Sequence, residues 1–303
     1  SVINSKFADG SYAALTLIHE IGHALGLEHP FSYAQAGGGS VSDPPYLTGA
    51  EDSTAWTVMS YEDSSAQYYL SLSPLDIAAL QYIYGPSKNA RVANDIYKVS
   101  SSAPNFIWDG AGTDTIDLSA VNQGATIFLT PGYWGFVGSQ QAATITSSGQ
   151  VTVNFGSIIE NLTGSSFADK LYGNDTDNLI AGGLGNDRLD GLAGNDVLIG
   201  GLGDDQLNGG MGIDTAQFEG PYDNYVTSSS QSAFVVTDKL SNAEGKDVLI
   251  NVERLKFLDK SVAIDLEGHA GKTVKVIGAV LGKDAVKNPG LVGIGLSYLD
   301  NDL

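Results

Sequence analysis

The sequence predicts an α+β protein in two parts: a helical segment carrying a catalytic metal site, then a parallel β-roll built from short repeats. Two observations predict it. Three of the four histidines fall within His19–His29, in the spacing of a zinc site, and from Gly164 a Gly/Asp/aliphatic pattern recurs every nine residues. With 303 residues the chain suits about two domains. We place a catalytic part at 1–90, a calcium-binding roll with flanking strands at 91–265 and a tail at 266–303.

Charge and composition narrow the function. The formal net charge is −20, from 35 acidic and 15 basic residues. Phosphate binding needs a basic face, so a nucleic-acid partner is not expected. An acidic excess suits hard-cation sites, because carboxylates are the preferred ligands of calcium. There is no cysteine, so stability must come from the core and from metals. The sequence has no apolar run of ~18 residues that would span a membrane, and the residues at its start do not read as a signal peptide. It begins Ser1-Val2-Ile3 without an initiator Met, as processing or a partial chain would both produce.

In chain order, residues 11–26 read as a helix, with apolar residues at Ala14, Leu17, Ile18, Ile21 and Leu25. Asp9 or Ser11 could cap its start, and Gly26 suits its end. A Gly-, Ser- and Pro-rich loop runs to about 50. Residues 73–84 read as a second helix, with Ser73 as N-cap, Pro74 as first helical residue and Gly85-Pro86 as its stop. Short strands follow over Asp95–Val99, Phe106–Trp108, Thr126–Leu129 and Gln150–Phe155, and again over Ala233–Thr237 and Asp247–Val252. From about 268 the pattern is weakly helical.

The chemistry begins at His19-Glu20-Ile21-Gly22-His23-Ala24-Leu25-Gly26-Leu27-Glu28-His29. Two histidines four apart on a helix lie ~40° apart in projection, so both imidazoles can reach one metal. His29 would point the wrong way on a continuing helix. Gly26 can adopt positive φ, turn the chain and bring His29 in as third ligand. Three protein nitrogens leave one position open for water, as in a catalytic zinc site. Glu20 then serves as general base.

This eleven-residue run resembles the metzincin signature. Thr57-Val58-Met59-Ser60-Tyr61 resembles the Met-turn expected downstream. Glu51-Asp52 and the run from Ser73 to Gly85 resemble the serralysin subgroup. The resemblance implies one catalytic zinc, Met59 as apolar floor beneath it, and Tyr61 as a zinc ligand that swings away to assist the oxyanion. It implies a hydrogen-bonding rather than catalytic Asp76, and protein or peptide substrates. A complete metzincin also has a long upstream segment whose sheet edge binds the peptide by strand addition, whereas eighteen residues precede His19 here. That part of the catalytic domain is thus a candidate partner.

In the repeats, glycine opens units at 164, 173, Gly182, Gly191, Gly200 and 209, several followed by a second glycine such as Gly183 or Gly201. The sixth place holds Asp169, Asn178, Asp187, Asp196, Asp205 and Asp214, and the eighth holds Leu171, Ile180, Leu189, Leu198, Leu207 and Ala216. Glycines allow tight turns with inward carbonyls, the aspartates add carboxylates, and the eighth residue starts a strand whose side chain is buried between two layers. Several structural calcium ions are expected between stacked turns. The pattern resembles the RTX calcium-binding nonapeptide. Asp109, Ala111, Gly112 and Asp114 resemble an isolated calcium turn of serralysins, completed by Arg91, Ala93 and Asp95, with Glu160 as ligand at the approach to the first full repeat. Residues 247–265 resemble the strand pair that follows such repeats and would cap the roll, and His269 reads as an exposed structural residue. The family resemblance implies type I secretion with a C-terminal signal, for which Leu299-Asp300-Asn301-Asp302-Leu303 is a candidate, and we expect a monomer.

The expected function is a secreted zinc endopeptidase with a calcium-stabilised roll. The alternative is a non-catalytic calcium-binding module with an idle zinc site. An adhesin-like RTX protein is a third reading, which leaves the zinc pattern without a purpose.

Overall fold

A computed structural model describes residues 11–31, 33–34, 40–41, 47, 51–62, 71–229, 233–240 and 244–301. Parts of the loop up to residue 50, the alternative cap Asp9, and Asp302 and Leu303 lie outside the described residues. No helix among those described is long and apolar enough to cross a membrane.

Helix α1 runs Tyr12–Ala24, with the Ser11 hydroxyl accepting from the Ala14 N–H. It ends as its sequence requires. Gly26 takes φ 91°, its N–H donates to His23 O, and Leu27 N–H reaches back to Gly22 O. This pattern satisfies the last carbonyls of a helix around a left-handed residue. Helix α2 runs Pro74–Tyr84, and Asp76 accepts from the Ser73 N–H at 2.9 Å. Leu27, Val58 and Met59 form a small buried core, with Leu15, Ile18, Leu72, Ala79 and Leu80 packed on it. The Tyr84 hydroxyl ties the end of α2 to Leu25 O at 2.8 Å.

Among the described residues, the remainder is dominated by a two-sheet roll of ten and eight strands. Successive turns send their strands alternately to the two sheets, so strands that pair are eighteen residues apart. In one sheet Leu171 faces Leu189, which faces Leu207. In the other Ile180 faces Leu198, which faces Ala216. All six side chains are buried, and they belong to one apolar cluster running from Val99 to Phe257. Strands such as Arg188–Leu192 begin at the seventh residue of a unit, one place earlier than expected, because the Arg188 N–H already pairs with Asp169 O.

The structure adds to the sequence reading at several points. Trp134–Val137, not foreseen, lies antiparallel between Ala125–Phe128 and Gln150–Val153. Within 247–265, Arg254–Lys256 and Ser261–Ala263 form an antiparallel pair at the end of the eight-stranded sheet, and the segment also supplies strands to both sheets. Lys246–Ile250 extends one sheet beside Gln206–Asn208, and Arg254–Lys256 extends the other beside Thr215–Gln217. The segment thus continues the roll on one side, while Phe234–Asp238 and Ser261–Ala263 pair antiparallel on its other side. After it come two helices, α3 (His269–Leu281) and α4 (Pro289–Asp300). His269 is not simply exposed: its Nδ1 lies 3.0 Å from Asp300, which also pairs with Arg254.

Candidate metal centres

Helix α1 and the turn after it bring His19, His23 and His29 together. The Nε2 atoms of His19 and His23 each lie 3.2 Å from Nε2 of His29. On the outer side of the two helical rings, His19 Nδ1 donates to Val58 O at 2.7 Å and His23 Nδ1 to Leu27 O at 2.9 Å. Those carbonyls can only accept, so they fix the proton on Nδ1 and leave the Nε2 lone pair facing the common centre. Zinc–nitrogen bonds of about 2.0–2.1 Å in a tetrahedron set the nitrogens about 3.3 Å apart, and the observed spacing fits such an ion. Burial, with the neighbouring His23 and His19, lowers the His29 pKa, which favours its neutral, ligating form.

The other expected residues surround this centre. Glu20 is exposed and lines, with His19 and Tyr61, a cleft of about 320 Å³. The Tyr61 ring stacks on His19 (centroids 5.6 Å apart) and sits 4.7 Å from the His29 ring. Met59 is 1 % exposed beneath α1, and a Cβ on Gly22 would stand only 2.5 Å from its sulfur. Gly22 is thus a residue the sequence reading passed over. Its sole signal is a glycine inside an otherwise apolar helix, where glycine costs stability unless a close approach requires it.

A second group, Asp95, Asp109 and Asp114, places three carboxylate oxygens within 4.8 Å of one another. Arg91 takes φ 51° and its carbonyl accepts from the Ala111 N–H. A Cβ on Gly112 would land on the Ala93 carbonyl oxygen. Asp95 N–H donates to Asp114, and Asp114 N–H donates to Glu160 at 2.7 Å. Asp114 Oδ2 is buried without a hydrogen-bond partner, and burial pushes this carboxyl up to about 6. All eight residues expected around this turn therefore share one neighbourhood.

The repeat turns have the same logic. Asp169 N–H donates to Asp187, Asp187 N–H to Asp205, and, on the opposite edge, Asp196 N–H to Asp214, each at 2.8 Å. One oxygen of each aspartate is thereby used. The second, Oδ2, is buried and unpartnered in Asp187, Asp196, Asp205 and Asp214. It lies where a Cβ would stand on Gly182, Gly191, Gly200 and Gly209 respectively, so only glycine fits there. The carbonyl oxygens of Gly200 and Gly209 likewise crowd the Cβ positions of Gly182 and Gly191, and those of Ser165 and Gly183 crowd Gly183 and Gly201. Burial pushes Asp187 and Asp196 up to about 7, and Asp205 and Asp214 up to about 6. Buried, unpaired carboxylate oxygens among main-chain carbonyls fit a hard cation. Asp169 differs, because both its oxygens accept N–H groups, from Ala125 and Ser165.

Comparison with known proteins finds a calcium-binding repeat family and several metalloproteases. The RTX calcium-binding nonapeptide repeat family matches residues 101–122, 156–189 and 182–216. Serralysin of Proteus mirabilis is 36% identical over 194 residues, covering 56% of this chain and 37% of that protein. Metalloprotease AprA of Pseudomonas entomophila (strain L48) is 35% identical over 206 residues, covering 59% of this chain and 40% of that one. Serralysin G of Dickeya chrysanthemi is 36% identical over 186 residues, covering 54% and 37%. The chain spans less than half the length of these curated relatives. Over rather more than half of its own length the chain is similar to serralysin metalloproteases, and its own sequence carries RTX calcium-binding nonapeptide repeats.

Proposed function

We propose that the chain is the zinc-bearing and calcium-binding portion of a secreted endopeptidase. The observation that carries this reading is the convergence of the His19, His23 and His29 Nε2 atoms, with both helical imidazoles fixed in the ligating tautomer by carbonyls. When bound, zinc supplies an open position that acidifies water and polarises a carbonyl.

The chain's own residues would do the rest. Glu20, in the cleft beside His19, takes the proton of the attacking water on its carboxylate and returns it to the leaving amine. The Tyr61 phenol, close to the rings of His19 and His29, would be a further zinc ligand, and its hydroxyl would be placed to donate a hydrogen bond to an oxyanion formed there. The substrate is a protein or peptide. Calcium in the roll is structural, holding turns whose carboxylates would otherwise repel. Export through a type I pathway, with a C-terminal signal and folding in external calcium, accords with a chain that lacks cysteine.

The experiment is cleavage of casein by the protein, zinc- and calcium-loaded, together with whatever part of its catalytic domain completes the cleft. Glu20→Ala should abolish cleavage and leave zinc content unchanged. Undiminished cleavage by that variant would overturn the role of Glu20. Bound zinc without any cleavage by the unaltered protein would favour the calcium module with an idle zinc site.

A further inference from the structure

Beyond Asp214 the nine-residue pattern stops, yet the ladder of the roll does not. On the edge carrying Asp196 and Asp214, a Cβ on Gly173 would land on the carbonyl oxygen of Gly191, one on Gly191 would meet that of Gly209, and one on Gly209 would land on that of Asn251. Asn251 thus supplies the next carbonyl in the row, and it does so at φ 49°, a left-handed conformation that asparagine tolerates better than most residues. The carboxylate row continues as well. Asp196 N–H donates to Asp214 at 2.8 Å, and Asp214 N–H donates to the Glu253 carboxylate at 2.9 Å. The strand that follows, Arg254–Lys256, keeps register with Thr215–Gln217.

Asn251-Val252-Glu253 therefore does in three residues what Gly209 to Asp214 does in six. Between these two turns lies Asp214 Oδ2, in a fully buried residue, with no hydrogen-bond partner. A buried carboxylate oxygen without a donor calls for a cation or a proton, and here a second carboxylate and main-chain carbonyls stand beside it.

We propose that Asn251 and Glu253, outside the repeats, close a terminal calcium site with Asp214 and Gly209. The ion takes Asp214 Oδ2, the Glu253 carboxylate and the main-chain oxygens of the two turns, a hard-oxygen set that suits calcium. The inference rests on the calcium reading of the repeats but assigns a site that those repeats do not contain.

The test is isothermal titration of the full chain, freed of calcium, with calcium chloride alone. Glu253→Gln preserves length and the acceptor for Asp214 N–H but removes the charge. It should bind one calcium fewer than the unaltered protein, or bind one ion at least tenfold more weakly, while the remaining sites titrate as before. An unaltered count and affinity in a folded Glu253→Gln would overturn the terminal site while leaving the repeats intact. Absence of calcium binding by the unaltered protein would instead overturn the reading of the repeats. Should Glu253→Gln not fold, Asn251→Gly offers a second route. It keeps the carbonyl and the left-handed backbone and should retain the full count, and loss of an ion there would contradict a main-chain role for this residue.

Discussion

Asp76 is joined to His19 by three hydrogen bonds in series. The Thr57 hydroxyl donates to Asp76 at 2.6 Å, the Met59 N–H donates to that hydroxyl at 3.1 Å, and the carbonyl of the same peptide group, from Val58, accepts from His19 Nδ1 at 2.7 Å. Asp76 is buried on α2, and its other oxygen accepts from the Val58 and Ser73 N–H groups. The expectation that Asp76 would be a hydrogen-bonding residue is met. The chain of donors further links it to an imidazole of the candidate zinc site. Aligned hydrogen bonds polarise one another, so the carboxylate strengthens the Val58 carbonyl as an acceptor and makes His19 a better ligand.

Thr57→Val removes the hydroxyl link while sparing the bonds of Asp76 to Val58 and Ser73. Loss of such outer support lowers metal affinity by about 10–100-fold. Competition with a chromophoric zinc chelator should show that loss in Thr57→Val and recovery in Thr57→Ser. Equal affinities in all three proteins would rule out the link.

The roll should answer to pH in a direction set by its carboxyls. In the ion-free fold, burial holds Asp187 and Asp196 up near about 7 and Asp247 near about 8, above the ordinary carboxyl range of about 4 reached on unfolding. A raised folded pKa favours the protonated form, so its contribution to stability is complete below about pH 4 and is lost as pH climbs through about 6 to 8. Calcium-free protein should therefore melt at a higher temperature at pH 5 than at pH 8. Calcium must displace those protons, so its stabilisation should grow with pH, and binding near pH 6.5 should release protons. Calorimetry in two buffers of different ionisation enthalpy measures that release. A calcium-free melting temperature unchanged between the two pH values would contradict the scheme.

Arg254 fastens the final helices to the roll. It contacts Asp265 at 2.7 Å and Asp300 at 2.5 Å, all three partly buried. Replacing it with alanine leaves two carboxylates without their cation, a change that costs about 3–5 kcal/mol when such pairs are buried and less at this degree of exposure. Arg254→Ala should open α3 and α4 to limited proteolysis while the roll resists. Identical digestion patterns would show that the apolar packing of the helices suffices.

Much of the candidate zinc site was legible because its information is local. His19, His23 and Gly26 are set by helical geometry, and the turn to His29 needs only one residue free of a Cβ. The inner repeats were legible because each turn meets an identical one eighteen residues on. The closing turns were not, since Asp205 meets Asp247 forty-two residues away and Asp214 meets Glu253 thirty-nine away. The hairpin of Tyr225–Ser229 and Phe234–Asp238 lies in between. Asp247 was overlooked for that reason, though Gly245 two residues before it adopts φ 77°, as a turn glycine of the stack would. Helices α3 and α4 were faint because Gly271, Gly278, Gly290, Gly293 and Gly295 interrupt them, and glycine weakens helical propensity.

The row of N–H groups reaching toward the carboxylate of the following turn gives the roll a direction. Every turn borrows its acceptor from the one C-terminal to it, so none is complete until its successor is in place. Glu253 breaks this dependence, since its own N–H turns back to the Asp214 carbonyl. A chain cut before Glu253 would therefore leave the Asp214 N–H without its acceptor and that edge of the stack open.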